Sequence, residues 1–216
     1  MSDVRIRPYE LRDRQAIRQL ACDTADRGEP VERFFPDREL AAELLTRYYT
    51  DDEPGSTWVA EADGRVVGYL TGCLDTRRYR RAMACRIVPG AVTRAIRRDT
   101  LCAPQTWRLL FAAICTAIRG GFRRCVPLDR FAAHLHVNLD GTFRGQQLGV
   151  QLVERFVHQA RVAGARGIHI SVRGDNLRAC RLFERLGFLE WRRCPVIMPR
   201  LGRFVLHHTI VYAKPL

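Results

Sequence analysis

The sequence predicts a mixed α/β fold on three observations. The stretch His134–Val172 reads as a short strand (His134–Asn138), a glycine-bearing loop, a helix from about Val150 to Val162 and a second strand, Gly167–Val172. Two β-forming runs, Thr57–Ala62 and Arg65–Gly72, are joined by Asp63-Gly64, a dipeptide suited to a tight hairpin. Between and before these strands, apolar residues recur at helical spacing. At 216 residues the chain suits one domain, 1–216, with room for a substantial core.

Taken in order, Val4–Tyr9 alternates apolar and charged residues and predicts a first strand. A helix carrying Ile17, Leu20 and Ala21 on one face follows. A second helix spans Asp37–Tyr49, with Asp37 as N-cap and Leu40, Leu44, Leu45 and Tyr48 facing inward. Gly28–Pro36 between them is a loop rich in aromatic and acidic residues, and Asp51–Gly55 is a turn. After the hairpin, a helical insertion is predicted at about 76–130, where Trp107, Leu110, Phe111, Ile114 and Ile118 form an apolar stripe for packing. The chain closes with a strand Leu189–Arg192, a loop containing Pro195 and Pro199, and a last strand, Arg203–Tyr212.

Composition excludes some classes of protein. Hydrophobic content of 47% and charged content of 27% are those of a globular chain. No apolar run approaches the roughly 18 to 20 residues of a membrane span, and the first residues lack the apolar core of a secretory signal. The eight cysteines include no C-x-x-C pair and read as reduced, buried thiols of a cytoplasmic protein. The net charge of +13 is almost wholly arginine, since Lys214 is the only lysine. Within 76–130, thirteen arginines stand against Asp99 and Asp129, a surplus of eleven. Such a charge admits a nucleic-acid or anionic partner, but no nucleic-acid-binding motif accompanies it; a solvated arginine face is the plainer reading.

The chemistry concentrates in the loop. A strand feeding Gly145–Gly149 and then a helix presents bare backbone amides and a positive dipole end, which together make an anion site suited to phosphate. Downstream, Asn176, Ala179, Gly187 and Phe188 form a second spaced set. With Arg144 and Gly149 bounding the loop, the two sets resemble the motifs of the GNAT superfamily of N-acetyltransferases. The chain departs from that pattern twice. Gln147 stands where the middle loop glycine is expected, and Phe183 replaces a tyrosine.

The resemblance implies a twisted, mostly antiparallel sheet of six to seven strands, with a splayed parallel pair at its centre and helices on both faces. It implies acetyl-CoA as cosubstrate without a metal, held by Arg144, Gly145, Gln146, Gln147, Leu148, Gly149 and Val150. The pantetheine arm would lie along His136, Val137, Asn138 and Leu139, with Asn176, Ala179 and Phe183 bordering the thiol end. The Gly28–Pro36 loop would line the acceptor side. An amine would attack directly in a ternary complex, and a homodimer accords with the superfamily. Phe183 cannot protonate the departing thiolate as the tyrosine does.

His134 and His136 lie two apart on one strand face and titrate in a useful range, so either is a candidate base if that face lines the cleft. If the face packs on a helix, both are core residues. Glu61 and Asp75 are runners-up, and His207-His208 reads as structural. Two rival functions remain: a non-catalytic acyl-CoA sensor, suggested by Phe183 and Gln147, and an acetyltransferase acting at a nucleic-acid or ribosomal surface, suggested by the arginines.

Overall fold

A computed structural model describes residues 4–25, 28–121, 126–143, 145–200 and 203–216. Seven strands form one sheet: β1 (Val4–Pro8), β2 (Thr57–Ala62), β3 (Arg65–Cys73), β4 (Ala133–Leu139), β5 (Gly167–Arg173), β6 (Leu189–Arg200) and β7 (Arg203–Pro215). Their order is β1-β2-β3-β4-β5-β7-β6. Every neighbouring pair is antiparallel except β4 and β5. Seven α-helices accompany it among the described residues: α1 (Arg14–Asp23), α2 (Arg38–Arg47), α3 (Thr76–Ala82), α4 (Val88–Arg97), α5 (Pro104–Ile118), α6 (Leu148–Val162) and α7 (Leu177–Arg185).

Strand alternation sorts the side chains onto two faces. Leu135 of β4 and Ile168, Ile170 and Val172 of β5 join Leu152, Val153 and Phe156 of α6 and Phe183 of α7 in the main core. On the opposite face, Ile17, Leu20 and Ala21 of α1 pack on Val59 and Tyr69. That second face carries His134 and His136, so α1, α2 and α3 cover the chemistry-bearing side of β4.

Three readings are corrected. The first concerns Pro195 and Pro199, which do not mark a loop: β6 runs through both, with Pro195 opposite His208 and Pro199 opposite Phe204. Because β6 is an edge strand, a proline there need not donate on its open side. Second, the stripe on α5 does not pack inward. The helix rests on β6 through small residues, Ala112 and Thr116, and the Thr116 hydroxyl accepts a hydrogen bond from the Ile197 amide at 2.9 Å. Trp107 (59% exposed), Phe111 (54%), Ile114 (58%) and Ile118 (78%) are left in solvent. Third, Leu45 of α2 is exposed because it faces a cavity and not the core.

Helix α2 is capped by the Asp37 carboxylate, which accepts from the Leu40 amide at 3.0 Å, and runs on into a π-helical turn, Tyr48–Asp52. Helix α6 begins two residues earlier than its periodicity indicates. Of the seven described cysteines, Cys22, Cys73, Cys180 and Cys194 are buried, whereas Cys85 and Cys102 are exposed. No described helix is long and apolar enough to cross a membrane.

Candidate functional site

The cleft begins where two strands part. β4 and β5 are paired only at Ala133–Ile168 and His134–His169. Beyond that vertex β4 stays bonded to β3 as far as Leu139, and among the described residues no strand pairs with His136–Asn138 on the side toward β5. A cavity of about 640 Å³ opens in the gap, lined by His136, Val137, Asn138 and Leu139 from β4 and by Ile170–Arg173 from β5. A free strand edge beside a cavity offers ladder hydrogen bonds to any extended amide-bearing ligand.

At its outer end the cavity meets the start of α6. The first helical bond runs from the Gln151 amide to the Gln147 carbonyl at 3.1 Å, so the amides of Leu148, Gly149 and Val150 have no helical acceptor. The Gln147 side chain does not cap them. Gly145 turns the chain at φ +92°. A second cavity, of about 510 Å³, lies between this turn and α7, lined by Gly145, Gln147–Val150, Arg178, Arg181 and Arg185. The three arginines were not among the residues singled out above, although spacings of three and four on one helix are a readable sign of a common face. Uncapped amides, a helix dipole and three guanidinium groups are chemically suited to a polyanion. Arg144 lies outside the described residues. Gln146 is exposed on the turn.

Gln147 occupies the left-handed region (φ 61°, ψ 4°), which explains why glycine suits this position. A side chain there costs about 1 kcal/mol or more. Gln147→Gly should therefore raise the unfolding free energy by about 0.5–1 kcal/mol, after allowing for glycine's greater freedom in the unfolded chain. Denaturant unfolding checks this, and an unchanged midpoint would show that the turn carries no strain.

The two histidines have different fates. His134 is buried at 6% exposure with both ring nitrogens engaged. The Thr76 hydroxyl donates to the Ala132 carbonyl at 2.5 Å and so can only accept from His134 Nδ1–H, at 2.7 Å. Nε2 must then accept from the Tyr49 hydroxyl at 2.9 Å. Burial, together with His136, His169 and Arg80, holds the His134 pKa well below 6.5. His134 is thus a neutral fixture that positions Tyr49. His136 opens on the cleft with no hydrogen bond on its ring among the described residues. The Tyr49 and His134 rings lie 5.8 and 5.9 Å from it, and desolvation, aided by His169, lowers its pKa to about 4.

His169 shifts the same way, mainly through burial. All three histidines are easier to protonate in the unfolded chain, so stability is present above pH 6.5 and is lost as pH falls from there toward 4. A melting temperature that stays flat between pH 7 and 5 would contradict this arrangement.

Tyr49 and Tyr79 complete the inner wall, their rings stacked 5.6 Å apart. Burial raises both hydroxyl pKa values, which keeps them neutral donors. Neither was singled out from the sequence, because one sits in a π-helical turn and the other among the arginines of α3. Leu44, Leu45 and Gly28 also line this end; Gly28 is the one residue of the Gly28–Pro36 loop that does so, since Val31 and Phe35 are buried.

Asn138 donates to the Tyr69 hydroxyl at 2.7 Å. Asn176 borders the cleft while its carbonyl oxygen caps α7 through the Ala179 amide at 3.2 Å. Ala179 and Phe183 also line the cavity, and Phe183 packs on Phe188 at 5.4 Å. The runners-up are occupied elsewhere: Glu61 is held by Arg7 and Arg5, and Asp75 caps α3 through the Arg77 amide. His207 faces Asp175 and Arg173. No group of three or more metal-ligating side chains occurs among the described residues.

Residues 112–188 match the model of the Acetyltransferase (GNAT) family. Over nearly its whole length the chain also superposes on solved structures. SsHAT is 22% identical with a TM-score of 0.71, covering 99% of this chain and 98% of that one. An N-acetyltransferase from Staphylococcus aureus Mu50 is 15% identical, with a TM-score of 0.61 and 99% of each chain covered. The yncA protein of Salmonella typhimurium, solved with its cofactor acetyl-CoA, is 15% identical with a TM-score of 0.60, covering 99% and 94%. The seven-stranded sheet with its single parallel pair is the fold they share.

Proposed function

We propose that this chain, a GNAT-superfamily N-acetyltransferase, moves the acetyl group of acetyl-CoA onto a primary amine by direct attack in a ternary complex. The observation that carries the reading is a cleft with an anion cradle at its outer end and, at its inner end, the His136 imidazole, free of ring hydrogen bonds among the described residues and edge-on to Tyr49 at 5.8 Å. The amides of Leu148–Val150, with Arg178, Arg181 and Arg185, fit the pyrophosphate and 3′-phosphate. The edge of His136–Asn138 that parts from β5 fits the pantetheine amides. When bound, acetyl-CoA supplies the thioester acyl donor.

The protein's own part is positioning and proton handling. An imidazole with a pKa near 4 is too weak a base to deprotonate a free ammonium group. It can take the proton from the amine nitrogen as that nitrogen gains acyl character and its N–H becomes far more acidic. Phe183 offers no proton to the thiolate; the Tyr79 hydroxyl, which lines the same cavity and stays neutral, is the donor in this scheme.

The charged residues lining the cleft are Arg173 and Arg178, and the acceptor end is aromatic and aliphatic. Such a wall favours a monoamine on an apolar body over a polycation. Thiol release with acetyl-CoA should be at least about tenfold more efficient with 2-phenylethylamine than with spermidine; no release with any amine would support the acyl-CoA sensor instead. The arginine surplus is partly tied down, since Arg86, Arg94 and Arg98 pair with Asp52, Glu43 and Asp37, which weakens the nucleic-acid reading. Free thiols at Cys22, Cys73, Cys85, Cys102, Cys115 and Cys180 accord with a cytoplasmic enzyme.

The bare face of α5 supports a homodimer. Trp107, Leu110, Phe111, Ile114 and Ile118 continue onto Phe204 of β7, whose ring lies 5.3 Å from that of Phe111, and Leu206. Together they form an exposed, largely apolar patch of the kind a standard interface, burying about 800 Å² per partner, would cover. Light scattering should give a dimer at micromolar concentration, and Phe111→Glu/Ile114→Glu a folded monomer. A monomeric parent chain would remove this reading.

A further inference from the structure

A third cavity, of about 590 Å³, lies on the far side of α3 from the cleft. Arg77 and Arg80, three apart on that helix, and Arg192 of β6 line it together with Val126, Leu128 and Trp191. Tyr79, on another side of α3, faces the cleft instead.

The arginines here differ from those the fold uses for support. Arg7 is held by Asp13 and Glu61, Arg14 by Asp51, and Arg38 by Asp23 and Glu32. No described carboxylate pairs with Arg77, Arg80 or Arg192, and Asp129, which also lines the cavity, bonds to none of them. Three guanidinium groups converging on one concave space leave donor forks that match phosphate or carboxylate oxygens. Beside them the Trp191 ring, 45% exposed, meets Phe131 in an edge contact at 5.3 Å and leaves surface open to the cavity. An indole next to guanidinium groups suits a planar ring carrying the charge.

We propose that this cavity binds a small dianion built on a planar ring, with its phosphate or paired carboxylates on Arg77, Arg80 and Arg192 and its ring against Trp191. The site is separate from the acetyl-transfer cleft and does not depend on the acetyl acceptor.

Calorimetric titration of the full chain in saturating CoA, with adenosine 5′-monophosphate, phthalate and adenosine as probes, tests the assignment. At least one of the two dianions should bind and adenosine should not; binding of only one assigns the head group. Arg77→Gln/Arg80→Gln should weaken binding about tenfold or more, and Trp191→Ala about fivefold. Arg78→Gln/Arg81→Gln, on the same helix but outside the cavity, should leave it unchanged. Absence of binding by both dianions overturns the proposal. So does equal weakening by the Arg78/Arg81 pair, which would mean diffuse positive charge, and so does binding seen only without CoA, which would place the probe in the cofactor cleft. If CoA itself fails to bind, the arginine variants still decide the matter.

Discussion

Gly149→Trp is expected to abolish acetyl-CoA binding, a loss of at least about a hundredfold in affinity, while leaving the protein folded. Gly149 lies in the first turn of α6 and lines both the cleft and the cavity beside α7. A Cβ there would sit 3.5 Å from Leu139 Cδ1 and from Leu182 Cδ2, an ordinary contact distance. Gly149→Ala should therefore fold normally and lose less than about tenfold in affinity. An indole has nowhere to go but into the two cavities, across the amides of Leu148–Val150. Calorimetry on the pair separates the outcomes. If Gly149→Trp is folded and still binds, the cofactor does not use this turn, and the functional reading falls with it.

His136→Gln should lower kcat about a hundredfold and change the KM for acetyl-CoA little, because the ring faces the acceptor end and makes no structural hydrogen bond. In the parent enzyme the acid limb of kcat/KM should follow protonation of the amine, with no inflection near 6.5. A base whose pKa is lowered to about 4 is already neutral throughout that range. If the substitution costs less than about threefold, the proton leaves through water and His136 is only part of the wall. His134→Gln differs in kind: it removes the acceptor for Tyr49 and the donor to Thr76, so its main signature should be a lower melting temperature.

Much of this was legible in the sequence. The Asp63-Gly64 hairpin and the strand–loop–helix–strand unit rest on local periodicity and turn chemistry, which few neighbours can overrule, and the two spaced motifs were legible through their resemblance to the GNAT patterns. Gln147 was visible as an oddity, and its left-handed backbone shows why glycine suits that position. The sequence could not divide the labour between His134 and His136. Both lie on one strand face, and the distinction arises because Thr76 and Tyr49, 58 and 85 residues away, reach one ring and not the other.

What the sequence alone determined is therefore most of the elements, their order and the glycine-bearing turn before α6, since each depends on contacts within a few residues. The tertiary structure decided where β4 leaves β5, which histidine stays unengaged, that Tyr79 joins the cleft wall, and that α5 packs by its small residues and leaves its large ones bare. Periodicity marks the faces of a helix or strand, but which face is covered depends on how distant elements fill space. That information resides in the packing as a whole and in no single segment.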